Sequence, residues 1–425
     1  MANLEKARVM SRQRIFQLLG PGLLYAGAAI GVSHLVQSTR AGAEFGFELL
    51  GILLLTNIFK YPFFEIGSRY VLATGGNLVD AYAKAGKWIL LLFLAMTIIT
   101  MAPVQAALTI VAAGLSNNIF GTSMTDLAMS AVIIGATVLF LIIGKFRLLD
   151  QLIKLVILLL TISTVVAVVM AFSRWEVPQH TIHSFDWTNR SHILFLVAFI
   201  GWMPAPVDIV VWTSIWSQTK FDKLGFKPTM REVLLEYRIG YFGTMIVAAF
   251  FLALGALVMY GTGESMPAGG AAFAGKLIGM YTQTIGAWAY PVIALAALTT
   301  MLSTTLTVMD AYPRTIVECL LRLPQPRLKV NAKVQYIGWM LVLALTTLIL
   351  LKISGRSMRT MVDLATSISF VTAPLLAYLN LRVIHSDEVD PAFRPGKVLV
   401  IWAWVGLILL SAFTAFYLFV LLFPA

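Results

Sequence analysis

The sequence predicts an all-α integral membrane protein with about eleven transmembrane helices, the first and sixth of them broken. Three observations carry this. Of 425 residues, 59% are hydrophobic and 12% charged, about half the roughly 25% of charged residues in a soluble domain, and the mean hydropathy is +0.86. Apolar runs of about twenty residues recur from Leu18 to the C-terminus, each long enough to cross a ~30 Å hydrocarbon core as a helix. The runs are continuous and lack the period-two alternation of membrane strands, which excludes a β-barrel. The same composition excludes a soluble enzyme.

The first span, 18–38, follows a basic arm at 1–17 holding Lys6, Arg8, Arg12 and Arg14. The arm offers no small-residue cleavage site and reads as retained. Spans at 46–69, 88–114, 127–143 and 149–172 complete a first five-helix half, 18–172. A second half, 192–381, holds spans at 192–216, 239–260, 288–311, 334–351 and 360–381, and 398–423 is an additional eleventh helix. Charge tests the count, because Lys and Arg accumulate on cytoplasmic connections. The arm and alternate connections carry 23 basic residues, the opposite side 7, and Lys60 stands inside the second span. The bias places the N-terminus in the cytoplasm and the C-terminus outside, in a prokaryotic-type inner (plasma) membrane.

The net charge of +11 is scattered over short connections and forms no patch for nucleic acid. A single cysteine, Cys319, permits no intramolecular disulfide. The connections 173–191 and 261–290 both fall on the outer side, and 268–281 reads as a short helix across the outer mouth. Neither is large enough to be a domain. The partners expected are therefore the lipid bilayer and a small ion or solute, with no partner protein implied. No phosphate-binding loop, zinc-protease helix or cysteine cluster is present, so neither enzymatic activity nor a cofactor is expected.

Function concentrates at two interruptions. The first span reads Gly20-Pro21-Gly22 and then, at its middle, Ile30-Gly31-Val32-Ser33-His34, polar where hydrocarbon favours leucine. The sixth reads Gly201-Trp202-Met203-Pro204-Ala205-Pro206. Each proline removes an intrahelical hydrogen bond and leaves a carbonyl without its donor, tolerated at membrane depth only where the group lines a cavity or finds another partner. Five helices separate the breaks, and an odd number inverts the second half relative to the first. Interrupted helices at matching places of two inverted halves point to the binding site of a secondary transporter.

Gly20-Pro21-Gly22-Leu23-Leu24, Ala41-Gly42-Ala43-Glu44-Phe45-Gly46 and Met203-Pro204 resemble the NRAMP (natural resistance-associated macrophage protein) family of divalent-metal transporters. Tyr61-Pro62 through Glu65, Gly67 and Arg69 to Thr74-Gly75, and Phe370-Val371-Thr372-Ala373-Pro374, resemble a divergent prokaryotic branch of it. The resemblance covers nearly the whole chain. It implies a LeuT-like fold in which helices one to five and six to ten form a 5+5 inverted repeat, with metal bound between the broken first and sixth helices.

Departures from the family pattern fall on the site itself. Where the family carries Asp-Pro-Gly-Asn, an ungapped reading places Gly31, Val32, Ser33 and His34. The family methionine is Met203, its sixth-helix histidine becomes Ala205, and the residue whose carbonyl helps bind metal is Ile200. The candidate substrate-binding set is therefore Gly31, Ser33, His34, Ile200, Met203 and Ala205, with His34 and Met203 as metal ligands. That neutral set suits late transition metals better than Mg or Ca. Asp208, Lys60 and Glu65 are candidates for coupling or charge compensation, since intramembrane charges are expensive. Against those roles, Glu65 and Arg69 at i, i+4 read as a structural pair, and so do Asp310 and Arg314. Lys60 reads equally as snorkelling toward the inner interface or pairing with Glu65.

Three functions are compatible with this pattern. The first is an NRAMP-related transporter of a divalent metal ion with altered or absent proton coupling. The alternative is transport of a small neutral or zwitterionic organic solute on the same scaffold, in a pocket shaped by Trp202 and enlarged at Gly31. The third is a non-transporting receptor module, against which stands the absence of an output domain.

Overall fold

A computed structural model of the chain describes residues 20–144, 146–174, 184–224, 226–323, 331–355 and 357–423. The basic arm at 1–17 and half of the outer connection at 173–191 lie outside the described residues. In chain order the α-helices are α1 (Pro21–Ala29), α2 (Thr39–Phe45), α3 (Leu50–Thr74), α4 (Leu78–Ala85), α5 (Lys87–Phe120), α6 (Asp126–Ile143), α7 (Phe146–Ser173), α8 (Arg190–Gly201), α9 (Ile209–Phe221), α10 (Met230–Val258), α11 (Gly270–Ile285), α12 (Tyr290–Arg322), α13 (Ala332–Ser354), α14 (Met358–Ile384) and α15 (Lys397–Leu422). A π-helical turn, Ser33–Ser38, leads into α2. Among the described residues there is no strand.

Eight of the eleven expected spans are unbroken apolar helices, α3, α5, α6, α10, α12, α13, α14 and α15. The fifth span is α7, and the first and sixth are each in two pieces, α1 with α2 and α8 with α9. The expected short outer helix is α11. Several helices run further than hydropathy predicts: α3 to Thr74, α5 to Phe120, α10 back to Met230 and α12 to Arg322, the last carrying the ion pairs Asp310–Arg314 and Glu318–Arg322. A capping box at Asn77 and Asp80 starts α4, another at Thr229 and Glu232 starts α10, and each satisfies backbone N–H groups that a helix start leaves free.

α10 carries both halves of the broken first span. A Cβ on Gly42 would stand 1.9 Å from the Leu252 carbonyl, and one on Gly255 2.2 Å from that of Thr39, so glycine at these two positions is what lets α2 and α10 cross backbone to backbone. At the other end Glu236 Oε1 accepts from the Gly20 and Gly22 N–H groups at 3.0 and 2.8 Å, supplying the α1 N-terminus with both acceptor and negative charge.

Two polar clusters bracket the bundle. Toward the predicted outer side the buried Arg40 donates through Nη1 to Asp363 Oδ1 (2.7 Å) and Gln37 Oε1 (2.9 Å), with its guanidinium 4.7 Å above the Phe195 ring. Toward the predicted inner side Glu65 accepts from Tyr61, from Arg69 Nε at 2.5 Å and from Arg238 Nη2 at 3.1 Å. Three donors on one buried carboxylate make a closed structural cluster between α3 and α10.

Cys319 is fully buried in α12, so its thiol is silent to aqueous reagents from either side. Orientation is instead read from single cysteines at exposed positions, Ser123→Cys between α5 and α6 and Ala392→Cys between α14 and α15. A membrane-impermeant maleimide is expected to label the first in right-side-out vesicles and the second only in inside-out ones. The reverse pattern would refute the orientation drawn from charge.

Candidate functional site

In the sixth span α8 ends at Gly201 and α9 begins at Ile209, and the Met203–Pro204 peptide between them is cis. In a continuous helix the Ile200 carbonyl would accept from residue 204, but Pro204 has no N–H to give. The carbonyl accepts instead from Met203 N at 3.2 Å and from Lys60 Nζ at 2.7 Å, and the neighbouring Gly201 carbonyl accepts from the same ammonium at 3.0 Å. Lys60 is fully buried near the middle of α3. It neither snorkels nor meets Glu65; among the described residues no carboxylate pairs with it. The end of α8 is also clamped from α14. A Cβ on Gly201 would lie 2.2 Å from the Thr366 carbonyl, and the Trp202 indole N–H donates to Ser369 Oγ at 2.8 Å.

In the first span α1 ends at Ala29 and Gly31 lies in the gap. Thr304 of α12 faces the freed carbonyls, with Oγ1 3.3 Å from Gly27 O and 3.5 Å from Ile30 O. A Cβ on Gly31 would stand 3.0 Å from that hydroxyl oxygen and 3.1 Å from the Thr304 methyl. A side chain at position 31 would therefore press on Thr304, which must give by a few tenths of an ångström.

His34 is turned into the protein. Its Nε2 sits 3.0 Å from the Thr244 carbonyl and its Nδ1 2.7 Å from Ser33 Oγ. A carbonyl only accepts, so Nε2 donates to Thr244 and has no lone pair for a metal while that bond holds. Nδ1 faces the Ser33 oxygen, whose hydroxyl also meets the Ala29 carbonyl at 2.6 Å. Met203 is buried, with Ser38 Oγ 3.9 Å from its Sδ.

Between the breaks lies a cavity with only about 20 Å³ open to the centre of a water-sized sphere, room for about one water. Val32 and Ser33 of the first span and Trp202, Ala205, Ile209 and Trp212 of the sixth share its wall. Of the sequence-predicted residues, Ser33 and Ala205 therefore meet on one cavity, and Ile200 meets Lys60. Gly31, His34, Met203 and Glu65 are placed elsewhere. So is Asp208, which reaches Tyr312 OH through Oδ2 at 3.2 Å, while its buried Oδ1 has no hydrogen-bond partner. Among the described residues no three His, Cys, Asp or Glu side chains gather where they could hold a metal.

Sequence reasoning missed Glu236, Ser369 and the Arg40–Asp363 pair. Their partners lie 167 to 323 residues away, and no local pattern signals them. The orphaned Ile200 carbonyl was legible from Pro204 four residues on; the lysine that meets it was not.

Over residues 22–420 the chain matches the family described as natural resistance-associated macrophage protein-like, Nramp. An uncharacterised protein of Pasteurella multocida is 35% identical over 408 residues, covering 95% of this chain and 92% of that one. The divalent metal cation transporter MntH of Listeria monocytogenes is 24% identical over 272 residues, 60% of this chain and 58% of the relative. Among solved structures, a variant of the Eremococcus coleocola manganese transporter shares the fold with a TM-score of 0.72 at 14% identity, over 97% of this chain and 89% of that one. MhsT in complex with L-phenylalanine shares it at 0.58 and 14% identity, over 94% and 97%. The fold is the LeuT-like one that the resemblance implied.

The clamp on α8 is testable. Gly201→Ala places a methyl against the Thr366 carbonyl and is expected to lower stability by about 1–3 kcal/mol, as overpacking does. Gly135→Ala, with nothing within 4 Å of the added carbon, is expected to be neutral or slightly stabilising. Thermal unfolding in detergent compares them, and equal melting of both variants would refute the close approach.

Proposed function

This chain belongs to the Nramp family of membrane transporters, and from that premise we propose that it is a secondary transporter working by alternating access, with its cargo bound between the two broken helices. The observation that carries the reading is the cavity itself. Val32 and Ser33 beside one break and Trp202 and Ala205 at the other face a single small cavity, where non-helical backbone is tolerated at membrane depth.

The polar clusters suit the two closures. Arg40 and Asp363 tie α2 to α14 at one end, and Glu236 ties the start of α1 to α10 at the other. Opening to either side requires one tie to break while the other holds.

The relatives with a stated cargo are divalent metal cation transporters, and a divalent metal ion is the family reading of the cargo here. Backbone carbonyls and the Met203 thioether are the family-matched donors this chain retains. With glycine at 31 and alanine at 205, proton coupling of the family type is absent or rerouted.

A specific observation favours a second reading, a small neutral or zwitterionic organic solute. No acidic side chain lines the cavity, its walls include two indoles, and the Lys60 ammonium is buried against the end of α8. A metal ion needs compensation for its lost hydration; a solute without net positive charge does not.

Vesicle flux and calorimetry separate the two. If the cargo is a metal, Mn, Fe, Co, Zn or Cd binds and Mg and Ca do not, and Met203→Ala weakens Cd by about tenfold or more, the scale of a disrupted metal environment. The acid is restored by Gly31→Asp together with Thr304→Ala, which relieves the tight contact of a Cβ at 31 with Thr304, and the pair is expected to strengthen divalent binding. If the wild type binds no divalent ion at millimolar concentration while the double variant does, the metal reading fails and the organic solute takes its place.

A further inference from the structure

The buried ammonium of Lys60 has a role beyond satisfying two carbonyls. We propose that Lys60 Nζ is a built-in cation, permanently tethered in a backbone site at the end of α8 that would otherwise take a small monovalent cation such as ammonium or an alkali ion.

Four features of that place make it a cation site. The last carbonyls of a helix have no intrahelical donors and carry the negative end of its dipole. Pro204 removes the donor that would have met Ile200 O in a continuous helix, and at 2.7 and 3.0 Å from one nitrogen the Ile200 and Gly201 carbonyls converge on a single point. That point is closed to solvent, since Lys60 is fully buried. Finally, the carbonyls are held in place independently of the lysine, because Gly201 packs against the Thr366 carbonyl and Trp202 is fixed by Ser369.

Lys60 itself lacks any other explanation for its charge. Among the described residues it meets no carboxylate, and Glu65 is already enclosed by Tyr61, Arg69 and Arg238. A neutral donor would suffice if the carbonyls only needed a hydrogen bond. An ammonium, compact and carried on a four-carbon stem, supplies instead what a free ion would: a full charge at the negative end of a half-helix. The consequence is that this end of the site is filled in every molecule, without any ion being drawn from solution.

The role rests on the transporter reading only for its meaning; its test reads stability and no flux, so its failure and that of the function are distinguishable. Wild type and Lys60→Ala are purified as full-length chains and melted in N-methylglucamine chloride, with ammonium, methylammonium, sodium or potassium chloride substituted at constant ionic strength. Wild type is expected to melt at one temperature in all five salts. Lys60→Ala is expected to melt several degrees lower in N-methylglucamine and to regain half or more of the loss, saturably, in ammonium or methylammonium. Lys60→Met, which fills the volume without the charge, is expected to melt low and stay low. Lys60→Gln keeps a donor without charge and is expected to melt below wild type, which keeps the test open if Lys60→Ala does not accumulate. Loss of stability with no response to any small cation, Lys60→Gln or Lys60→Met as stable as wild type in N-methylglucamine, or a wild type that itself responds to the ions, would each overturn the proposal.

Discussion

A carbonyl in the middle of a bilayer has no water to turn to, and the structure around both helix breaks is a response to that constraint. Leaving a polar backbone group unpaired in an apolar medium costs several kcal/mol, so a chain that interrupts two helices at membrane depth must bring donors to each. At the sixth span the donor is Lys60, sent across from α3; at the first it is Thr304, sent from α12. Each donor works only if its helix is held in register with the break. The glycine crossing of α2 on α10 and the seating of Gly201 against α14 are the packing side of the same requirement.

The two solutions are chemically unlike, and the difference shapes the cleft. Thr304 is neutral, and its hydroxyl proton is divided among the carbonyls of Gly27, Ile30 and Thr300 at 3.0 to 3.5 Å; these are loose contacts, at or beyond the usual limit for O–H···O. Such a region can rearrange at small cost. Lys60 makes two charge-assisted contacts at 2.7 and 3.0 Å, and the carbonyls they meet are held from α14 as well. The first-span break is the softer of the two, and the end of α8 the more rigid.

The fold was legible because its signals are local. Length and apolarity of a run determine a span, alternation of Lys and Arg counts spans, and Gly31, Pro204 and Pro206 mark the interruptions. Hydropathy ended helices too early where polar residues continue them, as from Asp310 to Arg322 in α12 and through Ser116 and Asn117 in α5. The site was legible as a place and not as an arrangement. Pro204 announced that the Ile200 carbonyl was orphaned, but nothing near Lys60 announced that its side chain would travel to a residue 140 positions away. His34 was legible by type and position, but its bond to the Thr244 carbonyl, 210 residues away, was not.

Charge then decides what the cleft can accept. Relative to the family pattern, Gly31 removes one negative charge, and Lys60 stands as a positive one at the break itself. A dication entering such a site would not meet the family carboxylate at position 31, and Asp208, at the start of α9, is engaged through Oδ2 by Tyr312. The retained thioether of Met203 cannot substitute, because softness selects among metals without neutralising any of them. The electrostatic preference at the α8 end therefore runs toward a group that is neutral or negative there. The apolar wall of Val32, Ile209 and the two indoles adds a second preference, for a body with apolar surface. A cation would reach these carbonyls only with the ammonium displaced; the Gly201 carbonyl, and the Ile200 carbonyl beside its bond to Met203 N, would then face it from positions fixed by α14.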